Sequence, residues 1–231
     1  LAIAATPALS EMVDIDPTVA ATEFRPIPVA LGYQIIPVHW STTGPYGQWL
    51  HRLGVLLHRQ RIDHDSSVQT RATRLQPGDC LILTKPLGTG VLFAAAMRGK
   101  AKTRWIETSI EAMLQSNGPA AAYLRGHEAS AMTDITGFGL FGHMLEMLRA
   151  AEVTGTISFD ALPMFDGAAE LAGDGIVSSL QTSNLAIEGL VKAEDVTRSD
   201  SRYPLCFDPQ TSGGLLASVP AEIADTCVAD L

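Results

Sequence analysis

Apolar and polar positions fall into order only after residue 76. Pro77-Gly78-Asp79 makes a turn, and the continuous apolar run Cys80-Leu-Ile-Leu-Thr84 predicts a short buried strand. Pro86 ends it, and Gly88-Thr89-Gly90 forms a tight loop before a helix over residues 91–98. A second helix is predicted over 103–115, where Trp105, Ile106, Ile110, Met113 and Leu114 make one stripe and Ser116-Asn117-Gly118-Pro119 is a stop. A short helix over 119–125, a strand over 129–135, a glycine turn over 136–142 and a helix to residue 150 follow. Residues 153–160 alternate as a strand does. The pattern then loosens to residue 200, with helical pieces over 167–172 and 185–193. Residues 205–207 and 214–219 read as strands and 220–231 as a last helix. Such a mixture predicts an α+β or α/β domain with helices stacked on a sheet.

The first 76 residues give little of this. Pro26-Ile-Pro28, Pro37 and Gly44-Pro45-Tyr46-Gly47 read as turns, and one amphipathic helix fits residues 48–59, with Trp49, Leu53 and Leu56 on a face. His39, His51, His58 and His64 lie here, and the spacing makes them solvated side chains rather than a metal set. Acids and arginines balance in this stretch, which has no lysine, so the whole net charge of −9 falls in residues 77–231.

That charge excludes a nucleic-acid protein, since phosphate backbones are held by clustered Lys and Arg. No apolar run approaches the ~20 residues of a membrane-spanning helix. Cys80, Cys206 and Cys227 form no Cys-x-x-Cys pair and sit among apolar neighbours, so they read as small buried residues in a reducing, cytoplasmic setting. The chain opens on Leu1 rather than Met and reads as an excerpt of a longer product.

Three segments concentrate glycine with Thr or Ser and a nearby charge. They are Thr84-Lys85-Pro86-Leu87-Gly88-Thr89-Gly90, Thr133-Asp134-Ile135-Thr136-Gly137-Phe138-Gly139 and Asp208-Pro209-Gln210-Thr211-Ser212-Gly213-Gly214. Turns of this kind expose backbone N–H groups to an anion, hydroxyls add donors, and a carboxylate alongside can hold Mg²⁺. Each alone fits an ordinary turn or helix cap equally well. Three together, two led by an Asp, point to a face that handles phosphate or metal. Lys85 reads either as a phosphate contact or as a solvated lysine. Gly137-x-Gly139-x-x-Gly142 also matches a dinucleotide fingerprint, with Asp160 at the expected distance. Asp134 speaks against it, because a carboxylate there would repel a pyrophosphate. His143 shares a narrow polar stripe with Glu146 and Arg149 and reads as a stripe or capping residue.

The same segments carry a family resemblance. Leu81-Ile-Leu-Thr-Lys-Pro-Leu-Gly-Thr-Gly90, Asp134-Ile-Thr-Gly-Phe-Gly-Leu-Phe-Gly-His143 and Asp208-Pro-Gln-Thr-Ser-Gly-Gly-Leu-Leu216 resemble, in order, the signature segments of the selenophosphate synthetases (selenide, water dikinases). Gly99-Lys-Ala-Lys-Thr-Arg-Trp105 with Met113-Leu-Gln-Ser-Asn117 is similar to the type fused to an NADH-dehydrogenase-like flavoprotein. The resemblance implies a PurM-like C-terminal domain over residues 77–231, α+β, with a mixed sheet packed against helices and an early stop at its end. It implies ATP and selenide as substrates, Mg²⁺ as cofactor with Asp134 as a ligand, and a homodimer in the intact protein. On its motifs Lys85, Gly88, Thr89, Gly90, Thr136, Gly137, Thr211, Ser212 and Gly213 become candidate binding residues. The family's N-terminal Cys or selenocysteine loop, catalytic Lys and Gly-Gly-His-Thr segment have no match, so no catalytic residue is placed in this chain. Residues 1–76 are expected to be an irregular remnant of the N-terminal ATP-binding domain, and this chain alone is expected to be inactive as a synthetase. The competing expectations are another PurM-like ATP-dependent enzyme, such as a thiamine-phosphate kinase or aminoimidazole ribonucleotide synthetase relative, and a non-catalytic nucleotide-binding or interaction domain.

Overall fold

The computed structural model describes residues 75–231, together with the backbone of two earlier strands, β1 (Ile3–Ala4) and β2 (Met12–Ile15). The helix expected over 48–59, the prolines before it and the four histidines of that stretch lie outside the described residues. β3 (Cys80–Leu83) leads through a turn into α1 (Thr89–Met97), α2 (Thr103–Leu114) and α3 (Gly118–Gly126). β4 (Ala131–Asp134), α4 (Gly139–Ala151) and β5 (Gly155–Ser158) follow. Next come α5 (Ala168–Gly173), α6 (Gln181–Asn184), β6 (Val191–Lys192), α7 (Asp195–Ser199), β7 (Leu215–Val219) and α8 (Ala221–Asp230).

Four strands form a sheet in the order β1-β3-β7-β4, and three form a second in the order β5-β2-β6. The α+β expectation holds. The ladders are antiparallel throughout, where a mixed sheet was expected, and one isolated bridge, Leu87 to Met164, is parallel. The reason is local. β3 and β4 both run toward the same sheet edge, and β7 starts from that edge between them, with Leu83 opposite Leu216 and Asp134 opposite Leu215.

Strand alternation separates two cores. Leu83 and Leu216 face α4, whose Leu140, Phe141, Met144, Leu145 and Leu148 are buried against Ile157, Phe159, Tyr203 and Phe207. Ile82, Met132, Leu215 and Ala217 face the other way, onto α3 and α8. A third cluster joins α1, α2 and α5 around Trp105 and Leu205. Burying a Leu or Phe of this kind contributes about 1.5–3 kcal/mol before entropy is charged against it.

Two expected elements differ. Residues 205–207 form part of a 3₁₀ turn, Tyr203–Phe207, rather than a strand. Pro204 sits in its first turn, Leu205 enters the α1/α2/α5 cluster, and Cys206 and Phe207 enter the α4 cluster. One tight turn sends adjacent side chains into two cores, which a strand in one ladder would not do. Residues 185–193, expected helical, divide into a 3₁₀ segment (Leu185–Leu190) and β6, whose Val191 and Lys192 pair with Ile15 and Asp14 of β2. Pairing from a distant strand overrides the local preference.

Candidate functional site

The turns after β3 and β4 and the turn before β7 meet at one sheet edge because of the strand order above. Asp208 and Gln210 tie the last of these to the first. Asp208 is fully buried, and its Oδ2 accepts hydrogen bonds from the N–H groups of Gly90 (2.9 Å) and Val91 (3.2 Å), at the start of α1. Gln210 Oε1 accepts from the N–H groups of Gly88 (3.0 Å) and Thr89 (3.2 Å) and from the Thr89 hydroxyl (3.1 Å). Its amide donates to the carbonyl and the carboxylate of Asp208 (2.7 and 3.1 Å). The N–H of Thr211 donates to Thr89 Oγ1 (2.9 Å). The α1 N-terminus, which resembles an anion cradle in sequence, therefore holds the protein's own carboxylate and amide. Burial pushes the Asp208 carboxyl up to about 7, against the downward pull of the Val91, Gln210 and Gly90 donors. Its Oδ1 has no hydrogen-bond partner.

Lys85 is also internal. It is only 5% exposed, and its ammonium donates to the carbonyls of Gln115 (2.8 Å) and Ser212 (3.2 Å). Burial lowers its pKa to about 8. Asn117 adds a bond from its amide to the Gly213 carbonyl (2.9 Å). Ser212 stands in the left-handed region at φ 48°, and a Cβ on Gly213 would overlap the Ile135 carbonyl oxygen.

The middle turn is more open. Asp134 ends β4 half-buried, and Thr136 lies just beyond it. The Thr136 carbonyl accepts from the N–H groups of Gln210 (2.9 Å) and Gly139 (3.1 Å), while its hydroxyl meets His143 Nε2 (3.1 Å). Asn184 donates to the carbonyls of Gly137 (2.8 Å) and Phe207 (2.9 Å), fixing the turn from α6. Nothing lies within 4 Å of where a Gly137 side chain would point.

A cleft of about 320 Å³ opens here, within the usual range for small ligands. Gly90 and Gly137 from the first two turns line it together with Pro209, Gln210 and Thr211 from the third, and Phe93, Met97 and Leu180 make an apolar wall. A cavity of equal size beneath β3 and β5, walled by Leu81, Leu83, Leu148 and Ile157, includes no residue of the three turns.

Of the expected site residues, Gly90, Gly137 and Thr211 thus share the cleft. Gly88, Thr89, Lys85, Ser212 and Gly213 belong to the bonded joint behind it. Among the described residues no group of three His, Cys, Asp or Glu is arranged to enclose a metal. Asp134 therefore suits only an open Mg²⁺ site, completed by phosphate oxygens and water, which is how Mg²⁺ is commonly held. The dinucleotide reading finds no support: β4 and β5 lie in different sheets, and Asp160 is paired with Arg202 at 2.9 Å. Cys206 and Cys227 are buried, Cys80 is half-buried, and burial raises all three thiols, away from nucleophilic use. Sequence reasoning noted Asp208 as the acid leading a glycine segment but missed that it caps α1, and it did not single out Gln210, Asn117 or Asn184, whose long-range partners only the fold brings together.

The family model described as AIR synthase related protein, C-terminal domain, matches residues 76–231. The chain is similar to a selenide, water dikinase of Geobacter metallireducens, 40% identical over 156 residues, covering 68% of this chain and 45% of the relative. A selenide, water dikinase of Clostridioides difficile is 39% identical over 160 residues, covering 68% and 45%. One of Burkholderia pseudomallei is 35% identical over 207 residues, covering 88% and 53%. The chain spans about half the length of the curated relatives it matches. On the match over residues 76–231, the chain belongs to the AIR synthase related family, through its C-terminal domain.

Proposed function

We propose that the chain is the C-terminal part of a selenophosphate synthetase, which converts selenide, ATP and water to selenophosphate, AMP and phosphate. One observation carries the reading beyond the similarity itself: Gly90, Gly137 and Thr211, each from a separate motif, line a single cleft. The exposed Gly137 and Thr211 would face the nucleotide's phosphates, and Phe93, Met97 and Leu180 would exclude water beside them. Asp134 would hold Mg²⁺, whose charge offsets that of the phosphates during transfer. The joint of Asp208, Gln210 and Lys85 keeps the three turns in register; Asp208 and Lys85 position the cleft from behind, while Gln210 also lines it. The kinship with the flavoprotein-fused type rests on residues 99–105 and 113–117 alone. Selenide as nucleophile and the homodimer follow from the family resemblance, and a cytoplasmic location from the separated, unpaired cysteines. Among the described residues no helix is long and apolar enough to cross a membrane.

Titration of Mg-ATP into the purified chain tests this. Binding is expected in the presence of Mg²⁺, and Asp134→Asn should weaken it by about tenfold, the loss of one charged ligand contact. Unchanged affinity in that variant removes Asp134 from the site, and no binding by the native chain removes the nucleotide reading. The family match also admits another ATP-dependent enzyme of the same family. Comparing selenide with other nucleophiles in the complete protein separates the two.

A further inference from the structure

The cleft runs along one face of α1. Gly90, Phe93, Met97 and Arg98 follow one another at helical spacing and all line it. Eight steps of about 1.5 Å separate the first from the last, so Arg98 stands about 12 Å from the turns, beyond the apolar stretch of Phe93 and Met97. Of the described residues that line the cleft, Arg98 is the one that carries a charge. It is exposed and heads a short basic run. Arg98, Lys100, Lys102 and Arg104 are four of the ten lysines and arginines in residues 75–231, which hold nineteen acids. Lys102 is paired with Glu170 at 3.8 Å and lies over the Trp105 ring, whereas no described carboxylate makes an ion pair with Arg98. A cation kept out of ion pairs in so acidic a domain is available to an anion. Lys85, the cation that the glycine motif itself supplies, is taken up by the carbonyls of Gln115 and Ser212 behind the cleft.

We infer that Arg98 is a further ligand-contact residue of the cleft and meets the negative charge of a polyphosphate that extends from the glycine turns. A guanidinium suits this role because it stays charged and binds phosphate oxygens through two parallel N–H donors. The apolar wall beside it excludes water and strengthens the attraction. The span along α1 favours an extended chain of phosphates over a single one. Lys100 and Arg104 stand off the cleft wall and add only to the general positive field at its mouth. The nucleotide part of the ligand rests on the Mg-ATP reading above, whereas the polyphosphate contact does not.

Titrations of the full chain with three probes test it: Mg-ATP, inorganic triphosphate with Mg²⁺, and adenosine. Arg98→Gln should weaken Mg-ATP and triphosphate about tenfold each and leave adenosine unchanged. Arg98→Lys keeps the charge but not the fork and should fall between the native and Gln affinities. Lys100→Gln removes the same charge away from the wall and should stay within about twofold of the native chain. Urea unfolding of Arg98→Gln should match the native chain, since an exposed side chain without an ion pair is lost. Unchanged triphosphate affinity in Arg98→Gln, an equal loss in Lys100→Gln, or a loss for adenosine as large as that for Mg-ATP overturns the inference. Triphosphate binding that depends on Arg98, with no binding of Mg-ATP, upholds it and removes the nucleotide reading instead. Mg-ATP binding that is indifferent to Arg98 overturns this inference alone, and a native chain that binds none of the probes overturns both.

Discussion

The turn before β7 and the turn after β4 look alike in sequence, yet the structure uses them in opposite ways. Residues 208–214 are closed apart from the exposed Thr211: Asp208, Gln210 and the Ser212 carbonyl are bonded to the β3–α1 turn, and Gly213 lies against the Ile135 backbone. Residues 137 and 138 are open: Gly137 faces empty space and Phe138 is half exposed. The same residue types thus serve packing in one turn and access in the other. Glycine is required in the first because no side chain fits. In the second, nothing stands within 4 Å of the Gly137 position to demand it.

Substitutions that respect this difference should give unequal effects. Gly213→Ala forces a methyl into a backbone carbonyl that cannot move without shifting β4, and should cost about 3 kcal/mol in urea unfolding. A small loss would mean that the closed turn can relax. Asp208→Ala strips acceptors from the start of α1 and should cost about 2 kcal/mol at pH 6. The carboxyl also carries a pH signature. Its folded pKa of about 7 stands above the unfolded value of about 4, so the native state holds the extra proton between them. The stability it contributes is present below pH 4 and is lost as pH rises through 7. Asp208→Asn should flatten that decline, and an unaltered profile would show that Asp208 ionises freely.

Lys85→Met should change stability by only about 1 kcal/mol at pH 7, because two hydrogen bonds are lost along with a buried charge. Here the sign is reversed. A folded pKa near 8, beneath the ordinary lysine value, makes the native state release its proton first. Stability on this account is lowest below pH 8 and rises toward pH 10.5, and the Met variant should lose that rise. Gly137→Ala should move stability by no more than about 0.5 kcal/mol. It should nevertheless weaken Mg-ATP binding, and a variant unchanged in both respects would take the open turn out of the site.

Local pattern was enough for α2, α3, α4, α8 and the strands β3, β4 and β7, since their apolar spacing and Pro or Gly boundaries are written within a few residues. It failed at residues 205–207, where three consecutive apolar residues serve two cores through a 3₁₀ turn. At the site, sequence located the three turns but not what their polar groups face. The partner of Asp208 Oδ2 is 118 positions away, and that of the Lys85 ammonium at Ser212 is 127 away. No periodicity carries that information. His143 illustrates the same limit at short range: a helical wheel puts it in a polar stripe, while the preceding turn folds back and buries it against Thr136.

The place of β7 bears on how the domain is made. It is the middle partner of β3 and β4, which have no ladder with each other. During synthesis the earlier helices and strands emerge first, but β3 and β4 cannot be joined until residues 215–219 arrive. Closing a loop from Cys80 to Val219 is entropically costly and slow, so assembly of this domain is expected to lag behind formation of its helices. Until then the ladder edges of β3 and β4 that β7 fills stay open, and a chain halted before residue 215 would present both for association with its neighbours.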